Sequence, residues 1–120
     1  MHIEQLRDYC LSKKETTEDF PFDENVLVFK VLGKMFALVP LDAWERGEAS
    51  VNLKCDPEYS ETLRLDYSSI RPGFHMNKKH WNTVYIHEGE LSSEFILNLI
   101  DHSYKMVVKA MPKKVRDTLI

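Results

Sequence analysis

Two strand-like runs, residues 26–31 and 34–39, are separated only by Leu32 and Gly33. Glycine in a two-residue connection permits the positive φ of a tight hairpin, so the spacing predicts two neighbouring antiparallel strands. Leu27, Phe29 and Val31 fall on one face of the first run, and Val26, Val28 and Lys30 on the other. Pro40 ends the second run. Residues 50–55 alternate just as cleanly, with Val51, Leu53 and Cys55 set against Ser50, Asn52 and Lys54. That is the pattern of a strand with one buried and one wet face.

Helices are predicted around these strands. Ile3, Leu6, Tyr9 and Cys10 keep helical spacing until it fails near residues 12–14. Residues 15–25 are polar and acidic, with Phe20 and Phe22 flanking Pro21, and suit a loop that can carry a short edge strand. Residues 41–48 are a connector holding Trp44 and Gly47. Asp56-Pro57-Glu58 supplies a cap, a proline for the first helical position and an acid for the dipole, which predicts a helix to about Tyr67. Residues 68–80 are a loop and 81–87 the last strand. A long helix starts at Ser92 and buries Ile96, Leu99, Ile100, Ser103, Tyr104, Val107 and Met111, with Pro112 opening a kink or a short last helix.

At 120 residues the chain predicts a single domain over 1–120 with its own core. A one-faced antiparallel sheet needs a cover, and the two terminal helices each offer an apolar stripe. The expected fold is therefore α+β, a two-layer sandwich with the terminal helices packed on one face of the sheet. Cys10 and Cys55 are too few for a disulfide framework and are read as reduced thiols. No signal sequence or bilayer-length apolar run is present, so the expected location is cytoplasmic, without a membrane partner and as a monomer.

Charge is uneven. Residues 1–60 carry 7 basic and 12 acidic side chains, a net −5, while residues 61–120 carry 9 and 7, a net +2. Tight non-specific nucleic-acid binding usually requires a domain basic throughout, so only a local patch is open to that role. Such a patch exists at 70–86, I-R-P-G-F-H-M-N-K-K-H-W-N-T-V-Y-I, which contains no carboxylate.

This run, together with F-P-F at 20–22, V-F-K-V at 28–31, K-M-F-A-L at 34–38 and L-K-C-D-P-E at 53–58, resembles the MmcQ/YjbR family of small bacterial proteins. The likeness extends over nearly the whole chain. It implies a fold similar to CyaY and frataxin, and the label of a predicted DNA-binding protein with a double-wing motif. It implies no established reaction.

Two readings of the basic run stand side by side. In one, Arg71, Lys78 and Lys79 meet phosphates, Asn77 hydrogen-bonds phosphate or base, and His75, His80 or Trp81 stacks. In the other, the run is a crossover whose polar groups cap the backbone and whose Trp81 fills a corner of the core. If Val84 and Ile86 face the helices, parity sends Trp81, Thr83 and Tyr85 to the open face with Asn52 and Lys54. The candidate contacts are thus Arg71, His75, Asn77, Lys78, Lys79, His80, Trp81, Tyr85 and Lys54, for DNA or alternatively for a protein partner on the open sheet face.

No metal, cofactor or catalytic residue is expected. His75 and His80 have no nearby carboxylate, and the acids Glu15, Glu18, Asp19, Asp23 and Glu24 form a solvated segment. Cys55 shares parity with Val51 and Leu53, which points its thiol into the core.

Overall fold

The computed structural model describes residues 1–119; Ile120, the last position of the expected single unit, lies outside them. The chain runs from α1 (Ile3–Leu11) through the strands β1 (Thr16–Asp19), β2 (Val26–Val31) and β3 (Lys34–Pro40). A short α2 (Leu41–Glu45) leads to β4 (Ser50–Lys54), α3 (Pro57–Asp66), β5 (Ile70–Pro72) and β6 (Trp81–Tyr85). A 3₁₀ turn (Ile86–Glu88), α4 (Ser93–Lys109) and α5 (Lys113–Arg116) follow. The strands form one sheet in the order β1-β2-β3-β4-β6-β5, antiparallel at every pairing.

The β2–β3 hairpin turns through Leu32 and Gly33 with φ of 47° and 82°, as a type I′ connection requires. Its register slips between Phe29 and Lys30, which pair with Ala37 and Met35. Phe36 is the extra residue of this bulge. Phe36 and Ala37 are consequently both sealed in the core, where strict alternation would expose one of them.

The core lies between the sheet and the helical layer. Leu27, Phe29, Val31, Val39, Val51, Leu53 and Val84 meet the α4 stripe of Ile96, Leu99, Ile100 and Val107, with Leu6 and Cys10 from α1. Ser103, in the middle of that stripe, pins helix to sheet: its hydroxyl accepts from Lys54 N–H (2.8 Å) and donates to the Phe36 carbonyl (2.5 Å). Helix starts are capped as the sequence indicates. Asp56 accepts from Tyr59 N–H and Ser92 from Phe95 N–H, both at 3.1 Å.

The expected CyaY-like sandwich, with helices drawn only from the chain ends, is overturned, and the double-wing description falls with it. Helices are interspersed: α2 separates β3 from β4, and α3 separates β4 from β5. The region read as a plain connector folds into α2 because it can bury Ala43 and anchor Trp44, whose indole N–H donates to the Ser50 carbonyl (2.8 Å). The region read as loop contains β5, a three-residue edge strand too short to show a period, which pairs Ile70 with Val84 and Arg71 with Thr83. The sheet is an α+β six-stranded one, with helices distributed along the chain.

Candidate functional site

Opposite the main helical layer, β6 presents Trp81, Thr83 and Tyr85, while its Asn82 and Val84 face inward. Trp81 nonetheless retains only 9% of its exposure, because it packs with Val28 and Leu38 in a second, smaller apolar cluster that Val26, Met35 and Met76 flank. Met76 comes from the 73–80 loop, so this loop folds back over the open face.

The loop is tied down by its own polar groups. Gly73 N–H donates to the Trp81 carbonyl (2.9 Å), and Trp81 N–H donates to the Asn77 carbonyl (2.9 Å). The Asn77 side-chain oxygen accepts from Lys79 N–H (3.0 Å) and His80 N–H (3.2 Å). Gly73 is required by proximity rather than by its φ: an added Cβ would stand 2.9 Å from Met76 Cβ and 3.0 Å from Trp81 Cβ. His75 takes a left-handed conformation (φ 58°) and lies against Phe74, with ring centroids 4.0 Å apart.

The basic side chains are distributed as follows. Arg71 stacks on the Tyr85 ring at 4.3 Å, and its Nη2 donates to both carboxylate oxygens of Glu88 (2.6 and 2.8 Å). Lys78 donates to the Gly73 carbonyl (2.9 Å). Lys79 is exposed, and Lys54 is half-buried on β4 opposite Trp81. His80 is half-buried, and its carbonyl accepts from Cys55 N–H (2.9 Å).

Arg64 of α3, which the sequence does not single out, is the clamp of this loop. Its Nε donates to Asn82 Oδ1 (2.7 Å) and its Nη2 to the carbonyls of Lys78 (2.6 Å) and Trp81 (3.2 Å). Asn82, only 2% exposed, passes the link on by donating to Ser60 Oγ (3.1 Å). Only its place in the last turn of a capped helix marks Arg64 in the sequence, and that signals dipole compensation rather than a tertiary clamp.

Beside the loop the open face hollows into a cleft of about 670 Å³. Leu38, Asn52, Thr83 and Tyr85 come from the sheet, Phe22 and Asp23 from the β1–β2 connection, Asp42 and Arg46 from α2, and Phe74 and His75 from the loop. The Thr83 hydroxyl donates to Asn52 Oδ1 and accepts from Phe74 N–H (3.0 Å), fixing the wall to the sheet. Phe22 and Phe74, at 62% and 65% exposure, leave two large apolar rings in water at its border. Arg46 lies 3.3 Å from Asp42 and 3.7 Å from Glu48. Of the nine candidate contacts, His75 and Tyr85 line this cleft.

Nucleophilic chemistry has little support. Cys55 is buried, and desolvation raises its thiol above the ordinary range; burial pushes Cys10 up to about 12. Among the described residues no group of three or more His, Cys, Asp or Glu side chains gathers to hold a metal, and no helix is long and apolar enough to cross a membrane.

Comparison with known proteins matches the family model YjbR to residues 11–106. The chain is 35% identical over 120 residues to the uncharacterized protein YjbR of Escherichia coli strain K12, covering 100% of this chain and 98% of that one. It is 42% identical over 95 residues to the uncharacterized protein YbdF of Escherichia coli O157:H7, covering 79% and 75% of the two chains. The crystal structure of Deinococcus radiodurans protein DR2400 superposes with a TM-score of 0.87 at 39% identity, covering 98% of this chain and 86% of that one.

Proposed function

We propose that this chain, which belongs to the YjbR family, is a non-catalytic binding module that takes a segment of a protein partner into the open-face cleft. The observation that carries this reading is the cleft itself, about 670 Å³ with two exposed phenylalanines at its border. Apolar rings left in water beside a concave, hydrogen-bonding floor are what a partner's side chains bury against. The charge on the walls favours the same class of occupant. Asp23, Asp42 and Glu48 outnumber Arg46, which suits a segment bearing lysine or arginine and disfavours a phosphate backbone.

Duplex DNA is the less favoured occupant. Arg71 and Lys78 already have internal acceptors, which leaves Lys79 of the run, with Lys54 on the neighbouring β4, as the cations available to phosphates among the described residues. A salt titration of labelled duplex against the native chain and Lys78→Glu/Lys79→Glu separates the readings. Under the protein-partner reading the two curves coincide; a loss of binding in the double variant transfers the 71–85 segment to nucleic acid.

The direct test is capture of partners from bacterial extract by the native chain and by Phe74→Ser and Tyr85→Ala variants. A partner counts only if it is retained in high salt, lost with both variants, and binds again as a purified protein. Purified partners that bind both variants as well as the native chain would remove the cleft from the reading.

A further inference from the structure

A second concavity lies on the far side of the molecule, where α1, α4 and the C-terminal segment meet. It measures about 610 Å³ and is lined by Tyr9, Lys13, Asp101, Tyr104, Lys105, Val108, Lys109, Arg116 and Leu119. Four of these side chains are cationic and one is a carboxylate. Asp101 is already engaged by Lys13 and by the Tyr9 hydroxyl (2.6 Å), the latter bond pushing that phenol up to about 12. Lys105, Lys109 and Arg116 therefore remain as a surplus of about three positive charges.

The lining is more than a charged surface. Lys105 and Lys109 stand one helical turn apart on α4 and project on the same side. Arg116 arrives from α5, and its Nε is shielded from water with no hydrogen-bond acceptor among the described residues. The rest of its guanidinium lines the groove, and that planar fork suits phosphate oxygens. Both tyrosine hydroxyls are committed elsewhere, that of Tyr9 to Asp101 and that of Tyr104 to the Lys14 carbonyl (2.5 Å). What the two residues offer the groove is ring surface, alongside Val108 and Leu119, with Lys13 4.8 Å from one ring centroid and 5.5 Å from the other.

We infer that this groove is a binding site for a small phosphorylated ligand with a flat or apolar body, of the class of a nucleoside diphosphate. Lys105, Lys109 and Arg116 hold the phosphate oxygens, and Tyr9, Tyr104 and Val108 cover the body. The volume lies in the ordinary range of small-molecule sites, roughly 300–1,000 Å³. The carboxylate pairing of Lys13 keeps that cation in place as part of the wall rather than as a phosphate ligand.

The site is independent of the open-face cleft, and its test uses different variants and probes. ADP, adenosine and inorganic pyrophosphate are titrated into the full chain by calorimetry, with thermal unfolding as a second readout. The expected result is saturable binding of ADP at or below about 1 mM, at least tenfold weaker binding of pyrophosphate, and none of adenosine. Lys105→Gln/Lys109→Gln and Arg116→Gln should each weaken ADP tenfold or more while unfolding at the native temperature without ligand, since these side chains make no hydrogen bond or ion pair among the described residues. No ADP binding up to several millimolar, or ADP binding unchanged in both variants, overturns the proposal. Tighter binding of an oligonucleotide than of ADP, lost in the same variants, also overturns it, because the groove would then belong to a polymer surface.

Discussion

Removing Arg64 should release the wall of the open-face cleft. In Arg64→Ala the buried Asn82 Oδ1 loses the donor 2.7 Å away and has no route to water, since Asn82 is 2% exposed. Leaving such an acceptor unpaired costs about 1–3 kcal/mol. The bonds to the Lys78 and Trp81 carbonyls lie nearer the surface, where water can replace them, and add about 1 kcal/mol together. The expected loss is thus about 2–4 kcal/mol, or roughly 10 °C in melting temperature for a chain of this size. Urea unfolding of Arg64→Ala and Arg64→Lys measures it. The lysine should recover little, because one ammonium cannot reproduce the fork that spans Asn82 and two carbonyls. Hydrogen exchange should show the Gly73 and Trp81 amides losing protection beyond the global change, since Arg64 holds the carbonyls at the base of their loop. A loss below about 1 kcal/mol, with exchange at those amides unchanged, would refute the clamp.

Three further outcomes follow from the same structure. Gly73→Ala places a methyl 2.9 Å from Met76 Cβ and 3.0 Å from Trp81 Cβ, so it should cost about 1–3 kcal/mol and raise the fluorescence quenching of Trp81 by acrylamide as the loop lifts; unchanged quenching and stability would show that the loop yields freely. Ser103→Ala strips the partner from Lys54 N–H and from the Phe36 carbonyl at once and should cost about 2 kcal/mol in chemical denaturation, whereas a surface serine would cost almost nothing. Burial lowers the folded-state pKa of His102, whose Nε2 accepts from Asp56 N–H (3.1 Å) and so requires the neutral ring. As pH falls below the unfolded-state value of about 6.5 the unfolded chain takes up the proton first, so this contribution to stability, full above that pH, declines on acidification. His102→Gln should flatten the fall between about pH 7 and pH 5; an identical slope in the variant would exclude His102 as its source.

Elements whose residues repeat with a period were legible in the sequence. The strands of the hairpin, the alternating run at 50–55 and the long α4 stripe were anticipated because each buries one face over several residues, while α3 was anticipated from its Asp56-Pro57-Glu58 start and the hairpin turn from Gly33. The elements that escaped are short. α2 has five residues and β5 three, too few to express a period, and both exist because a neighbour supplies what they lack: Ser50 an acceptor for Trp44, and β6 a ladder for Ile70. The bulge at Phe36 was hidden for a related reason, since it shows only when the register of two strands is known together. The direction of Trp81 off the main helical layer could be read from parity, but its cover could not. That cover depends on Met76, which reaches it through a loop conformation set by Gly73, Asn77 and Arg64 jointly.

The charge-rich run at 71–81 illustrates why a motif's composition is a weak guide to its partner. Arginine and lysine side chains next to a turn have carbonyls within reach before any ligand arrives, and a loop crossing a sheet edge presents many of them. Here Lys78 closes the turn on Gly73, Arg71 joins β5 to the 3₁₀ turn through Glu88, and Asn77 organises two backbone amides. Glu88 offsets the charge of Arg71, and the carbonyl of Gly73 occupies a Lys78 donor that a phosphate would otherwise use. The groove between α1, α4 and α5 has the opposite history. Lys105 and Lys109 on the exposed side of α4 and Arg116 on the short α5 make no side-chain hydrogen bond or ion pair among the described residues. A search for anions on this molecule should therefore begin at the helices, and a search for protein segments at the sheet.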